Sequence, residues 1–206
     1  MSTVVGPIQE ILATDIPLFV NRIIRGLKEK FGIDVNNYKG EVLVIDHVCW
    51  RTSSVSEYIH MRKELEECGA EMLVESMIGG RPISTFKLSQ PVTVQPSGRL
   101  IYCLELPCPK EGKHYDSGLE HCEFVLPKDS PTQTFDTTKP LLDLKSHFSS
   151  VNFAHNEKTI NGDLQLQLSD TTSCKFHCNS LEEVIRYEVE NTMVHPIPQA
   201  YFSSHL

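Results

Sequence analysis

No apolar run in this 206-residue chain approaches the roughly 18 residues needed to span a bilayer, so a transmembrane helix is not expected. The chain is also short of positive charge: 19 Lys and Arg against 27 Asp and Glu leave a formal charge of −8. Nucleic-acid phosphate and anionic membranes both require a basic face, so neither is an expected partner. The one basic grouping, Arg22, Arg25, Lys28 and Lys30, reads as the solvated side of a helix. No basic segment opens the chain, and Glu10 and Asp15 stand early in it, which argues against a secretory signal. There is no CxxC pair, and seven cysteines is an odd number, so neither cysteine-held zinc nor a complete disulfide framework is expected. Cys49, Cys103, Cys122 and Cys174 stand in strand-like runs, where free thiols pack as small hydrophobes. A reducing, cytoplasmic setting is the simpler reading.

What is present describes an ordinary globular chain: 40% apolar and 22% charged, long enough for one full core or two halves sharing a sheet. Residues 15–32 carry a helical stripe of Ile16, Phe19, Val20, Ile23, Ile24, Leu27 and Phe31, with Asp15 as the expected cap and Gly32 as the terminator. From residue 41 the period changes. A strand over 42–51, a helix over 54–68 and strands at 70–78, 83–94 and 99–106 make a β-α-β-β-β order. After a turn-rich linker at 107–118 the order repeats: a strand at 119–126, a helix within 131–147 interrupted by Pro140, then strands at 150–155, 163–169 and 172–178. Ser180-Leu181-Glu182-Glu183 is a capping box that opens a helix to about Glu190. The expected organisation is a helical extension (1–40), a domain (41–192) with modules 41–107 and 118–178 capped by the helix 180–190, and a loose tail (193–206) with His195 and His205 exposed.

One signature repeats with the modules. Asp46-His47-Val48-Cys49-Trp50 and Glu120-His121-Cys122-Glu123-Phe124 share an acidic residue, a histidine and a later aromatic, and the histidines lie 74 residues apart (47 to 121). Glu105 and His177, each inside an apolar strand, lie 72 apart (105 to 177). Imidazole nitrogen and carboxylate oxygen bind first-row divalent ions, so His47, Glu105, His121 and His177 are candidate metal ligands. An ionised carboxylate such as Glu105, flanked by Leu104 and Leu106, either points to solvent or needs a partner, because burying it unpaired is costly. In strand parity His47, Cys49 and Arg51 share one face, and Glu123 shares a face with His121. Glu123 is the candidate general base or hydrogen-bonding partner to a ligand. Arg81, beside Gly79-Gly80, is the candidate clamp for a substrate carboxylate or phosphate. Cys49 and Cys103 can face the same cavity, but no oriented Cys-His pair is legible for a thiol nucleophile.

The chain resembles the YecM-like family of the vicinal oxygen chelate superfamily, whose relatives include glyoxalase I and the extradiol dioxygenases. The resemblance rests on Asp46-His47; Gly80-Arg81-Pro82-Ile83 with Phe86-Lys87-Leu88; Glu105-Leu106-Pro107; Glu120-His121 with Glu123 and Val125-Leu126-Pro127; and Lys175-Phe176-His177. It implies an α+β fold, two βαβββ modules forming a curled mixed sheet around a central cavity. It also implies metal ligands from the first and last strands of each module, at His47, Glu105, His121 and His177. The glyoxalase pattern has a carboxylate in the last strand where this chain has His177, which counts against glyoxalase activity. The expectation is a divalent-metal-dependent enzyme (zinc, nickel, manganese or iron) of isomerase, lyase or oxygenase type acting on a small oxygen-rich molecule. A non-catalytic binding module on the same fold is the alternative. Metal affinity is expected to fall below about pH 6.5, where histidine protonates. Oligomeric state has no signature in the chain.

Overall fold

The computed structural model describes residues 8–128, 138–158 and 160–204. Its first helix begins earlier than expected. α1 (Ile8–Glu10) runs through a π-helical stretch, Ile11–Asp15, into α2 (Ile16–Phe31). Asp15 therefore lies inside a continuous helix and makes no side-chain cap hydrogen bond. The cause is apolar: Ile8 and Ile11 extend the stripe upstream and are buried with Phe19, Val20, Ile23 and Leu27. Gly32 does end α2, taking φ 70 so that its N–H reaches the Leu27 and Lys28 carbonyls.

Two β-α-β-β-β modules follow. The first comprises β1 (Val44–Arg51), α3 (Val55–Glu67), β2 (Glu71–Ile78), β3 (Arg81–Val94) and β4 (Arg99–Pro107). The second comprises β5 (Gly118–Val125), α4 (Thr138–His147), β6 (Ala154–Asn156), β7 (Asp163–Gln167) and β8 (Ser173–His177). Among the described residues the eight strands form one mixed sheet in the order β2-β3-β4-β1-β5-β8-β7-β6. β4 runs parallel to β1, β8 runs parallel to β5, and β1 and β5 join the modules antiparallel. The sheet's two faces differ. Val48, Leu104, Leu106, Cys122, Phe124, Cys174 and Phe176 are fully buried and share one core cluster with α2 and α3, through residues such as Phe19, Leu27, Tyr58 and Met61. Truncating such a core aromatic, Phe19→Ala for example, costs about 3–5 kcal/mol. The alternate positions on the same strands face the other way, into the cavity.

The second module departs from expectation in two places. Pro140 does not interrupt α4; it stands in the first turn, where a missing N–H costs nothing. The earlier part of that expected helix, 131–137, lies outside the described residues. The strand expected at 150–155 forms only from Ala154, because Phe148 and Val151 are tied into a turn through Val151 N–H to Phe148 O at 2.9 Å.

α5 (Leu181–Glu190) carries both hydrogen bonds of its capping box, between Ser180 and Glu183. The segment from Met193, expected to be loose, is held at two points. Met77 N–H donates to His195 O at 2.9 Å, and His195 N–H donates to Ser76 Oγ at 3.2 Å. α6 (Tyr201–Ser204) then packs on α3, with Phe202 stacked on Tyr58 at 5.9 Å between centroids. Two anchoring aromatics in an otherwise aperiodic stretch leave no periodic signal. The His195 side chain is exposed, as expected, and His205 lies outside the described residues. No helix among the described residues is long and apolar enough to cross a membrane.

Candidate metal centre

The repeated acidic-His doublet has a structural cause. On β1, Ile45 opposes Phe124 and His47 opposes Glu123, so Asp46 is an extra residue in the ladder. On β5, Cys49 opposes His121 and Trp50 opposes Leu119, so Glu120 is likewise extra. Each doublet is thus a β-bulge, which re-aims a side chain that alternation would send to the other face. Asp46 Oδ2 comes within 2.7 Å of His47 Nδ1, and Glu120 Oε2 within 3.6 Å of His121 Nδ1. A carboxylate only accepts, so Asp46 holds the proton on His47 Nδ1 and turns Nε2 inward, whereas Glu120 stands beyond hydrogen-bond distance of His121. Asp46 also accepts the backbone N–H of Leu181 at 3.1 and 3.0 Å, which anchors the start of α5.

The inward nitrogens converge on Glu123. Its Oε1 lies 3.5 Å from His47 Nε2 and 3.2 Å from His121 Nε2, and its Oε2 lies 3.2 Å from His177 Nε2. Glu105 Oε2 sits 3.4 Å from His121 Nε2, so the carboxylate that needed a partner has one. Ligand atoms of His47, Glu105 and His121 all lie within 4.8 Å of one another, as do those of Asp46, His47 and His177. His177 is close to two carboxylates but not aligned on them: among the described residues, neither of its buried ring nitrogens has a hydrogen-bond partner. The four expected ligands are therefore divided between two triads that share His47, the second completed by Asp46, rather than forming one equal set; Cys49, Glu120 and His121 make a third such group. Orphaned imidazole nitrogen and converging carboxylate oxygen are a donor set that suits a divalent ion.

The electrostatics follow from crowding. Burial disfavours the His47 and His177 cations, but Glu123 and Asp46 outweigh it and raise them to about 9 and about 10. Burial likewise pushes up Asp46 and Glu105, and the adjacent imidazoles bring both down to about 2. Glu123 is held well below the usual carboxylate range by His47 and Lys175, against its burial. Burial raises the Cys49 thiol to about 11 and the Cys103 thiol to about 12, which leaves neither as a thiolate nucleophile at neutral pH.

A cavity of about 460 Å³ opens beside the cluster, lined by His47, Glu105, Glu123, Lys175 and His177 and by α5 with Met193 and His195. Arg81 is not brought to it. At the start of β3 its guanidinium turns to the Cys108 carbonyl, 3.3 Å away, because the Gly79-Gly80 turn, with φ 58 and 82, folds β3 back against β2. Three polar groups were missed in the sequence: Asp46 and Glu120, whose positions the repeated doublet already marked, and Lys175. Lys175 Nζ lies 2.5 Å from Glu123 Oε1 and 3.5 Å from His121 Nε2. Its strand parity with His177 was the signal available.

Paired βαβββ modules that turn a histidine–carboxylate cluster toward a shared cavity define the class: an α+β protein with a candidate metal centre at the middle of one mixed sheet. Within that class the chain belongs to the YecM protein family, whose profile matches residues 9–188. It is 32% identical over 183 residues to Protein YecM of Escherichia coli (strain K12), spanning 86% of this chain and 92% of that one. A solved structure described as Structural Genomics, Protein EC4020 aligns with a TM-score of 0.67 at 29% identity, covering 91% of this chain and 97% of the other. A methylmalonyl-CoA epimerase in complex with methylmalonyl-CoA and NH4+ aligns at a TM-score of 0.45 and 13% identity, over 68% of this chain and 97% of its own. That likeness is too slight to bear on chemistry.

Proposed function

We propose that the chain is a divalent-metal-dependent enzyme of the vicinal oxygen chelate type. It acts in the cytoplasm on a small oxygen-rich metabolite by an isomerase, lyase or oxygenase reaction. The observation that supports this reading best is the His47, Glu105 and His121 triad, three ligand atoms within 4.8 Å on neighbouring strands, with His47 and Glu105 lining a cavity. Those three residues hold the ion, one of zinc, nickel, manganese or iron given the mixed donors, while His177 belongs to the neighbouring triad with Asp46 and His47. When bound, such an ion polarises two neighbouring substrate oxygens as a Lewis acid. Asp46 keeps the His47 imidazole in the tautomer that presents Nε2. Glu123, ionised and facing His177 through Oε2, is the group assigned to hold or move a proton. α5 and the segment at His195 line the same cavity.

Calorimetric titration of zinc into the wild type and the His47→Ala/His121→Ala double variant tests this. Binding should vanish in the variant while the far-UV spectrum is kept; unchanged affinity would sink the assignment. One observation favours the second reading, a non-catalytic module that binds a ligand or partner through the same cavity. Lys175 and the charged imidazoles already balance the carboxylates without an ion. On that reading zinc, nickel, manganese and iron all fail to bind.

A further inference from the structure

The strand registers place the symmetry of this site differently from the sequence offsets. β1 and β5 are antiparallel, with His47 opposite Glu123 and Cys49 opposite His121, so a pseudo-two-fold axis passes between those pairs. It exchanges His47 with His121 and Cys49 with Glu123. In the first module Cys49 pairs with Glu105; in the second, Glu123 pairs with Lys175. The counterpart of Glu105 is therefore Lys175. His177 lies two residues further along β8, opposite Val125.

A lysine there is costly to a site that only stores a metal. Its ammonium stands 3.5 Å from Nε2 of His121, where it repels a dication bound to that nitrogen. Its side chain is only 19% exposed and lies on the cavity wall. Its carboxylate partner, Glu123, is shared with three imidazoles. With a cation in place of a second Glu105-like ligand, the centre has three protein ligands. That leaves room for two neighbouring substrate oxygens with a fixed positive charge beside them.

We propose that Lys175 is the anion-binding residue of this site, holding the carboxylate of a small 2-oxo or 2-hydroxy acid next to the His47, Glu105 and His121 triad. The inference rests on the metal reading above and adds the substrate class to it. A compact ammonium is a point charge suited to a carboxylate, and the vicinal keto or hydroxyl oxygen supplies the second donor.

The test titrates zinc, and then pyruvate in the presence of zinc, into the wild type and Lys175→Gln, which keeps an N–H donor for Glu123 and removes the charge. Pyruvate chelates free zinc only weakly, so its binding reports the protein site. Pyruvate affinity should fall roughly 10- to 100-fold in the variant, the worth of a charge-assisted hydrogen bond, while zinc binds no more weakly than to the wild type. In the wild type, pyruvate should also bind better than neutral pyruvamide, a comparison that holds whether or not the variant folds. Zinc binding with unchanged pyruvate affinity, or equal affinity for pyruvate and pyruvamide, overturns the role of Lys175 and leaves the metal reading standing. Failure of the wild type to bind zinc, nickel, manganese or iron overturns the metal reading, and this inference with it.

Discussion

Replacing Asp46 with asparagine should damage the centre without touching His47, Glu105 or His121. Asp46 has three duties: it holds His47 Nδ1 at 2.7 Å, accepts Leu181 N–H at the start of α5, and lies 3.4 Å from His177 Nε2. The amide of Asp46→Asn keeps the shape but presents an N–H as well as an oxygen. If its oxygen stays on Leu181, its N–H faces His47 Nδ1, which must then accept and carry its proton on Nε2 instead. The lone pair aimed at the triad is lost. Disturbing a hydrogen bond that orients a ligand costs about 10- to 100-fold in metal affinity. The metal-free fold suffers too. Losing a charge-assisted hydrogen bond costs about 1.5–3 kcal/mol, and losing the anion at a helix start costs about 0.3–1 kcal/mol. The side chain is 5% exposed, so solvent does little to screen either effect. At about 2–4 °C per kcal/mol for a chain of this size, Tm should drop by roughly 5–15 °C. Zinc competition against a chromophoric chelator reads the affinity, and 15N shifts of the His47 ring read the tautomer. An affinity within about twofold of wild type, with Nδ1 still protonated, would refute the reasoning.

The other module gives a graded control: Glu120→Gln should weaken zinc less than Asp46→Asn, because Glu120 stands 3.6 Å from its imidazole and also pairs with Arg51. An equal or larger loss by the same competition assay would contradict the bulge argument. In the metal-free protein, His47 and His177 are raised from 6.5 to about 9 and about 10. Their stabilising charge is fully present below about pH 6.5 and is lost as pH rises through those values, so Tm should decline on the alkaline side. Zinc must displace the same protons, so its affinity should climb well above the pH 6.5 expected of free histidine, with protons released on binding. Calorimetry in buffers of different ionisation heat measures that release; a flat affinity between pH 7 and 9 would count against it. Tyr58→Phe removes a hydroxyl that lies 2.5 Å from both Glu75 and Ser84 beneath α3, and should cost about 1–2 kcal/mol in urea denaturation with zinc affinity unchanged.

The module order was readable because each strand alternates and each helix stripe is apolar; β1 through β4 fall within a few residues of their expected bounds. Boundaries failed where packing overrode local signals, as at Asp15, whose capping role vanished once Ile8 and Ile11 prolonged the buried stripe. His47, Glu105, His121 and His177 were legible because polar residues inside apolar strands demand partners. Their grouping was not, because sequence offsets of 74 and 72 say nothing about strand register. Register pairs Glu105 with Cys49 and Lys175 with Glu123, which moves the symmetric position from His177 to Lys175. Bulges are equally silent in sequence, so the roles of Asp46 and Glu120 emerge only from the ladder, which shows the extra position in each strand. Arg81 shows the limit of turn chemistry: the glycine pair predicted the hairpin but not that the guanidinium would turn to Cys108.

The most direct test of the central claim is the melting temperature of the chelator-treated protein with and without zinc, nickel, manganese and ferrous iron. A native-state ligand at 100 times its Kd adds about 2.7 kcal/mol, or roughly 5–10 °C for this chain. At least one of the four ions should raise Tm by that amount in the wild type and not in the His47→Ala/His121→Ala variant. No shift with any of them would contradict the metal centre.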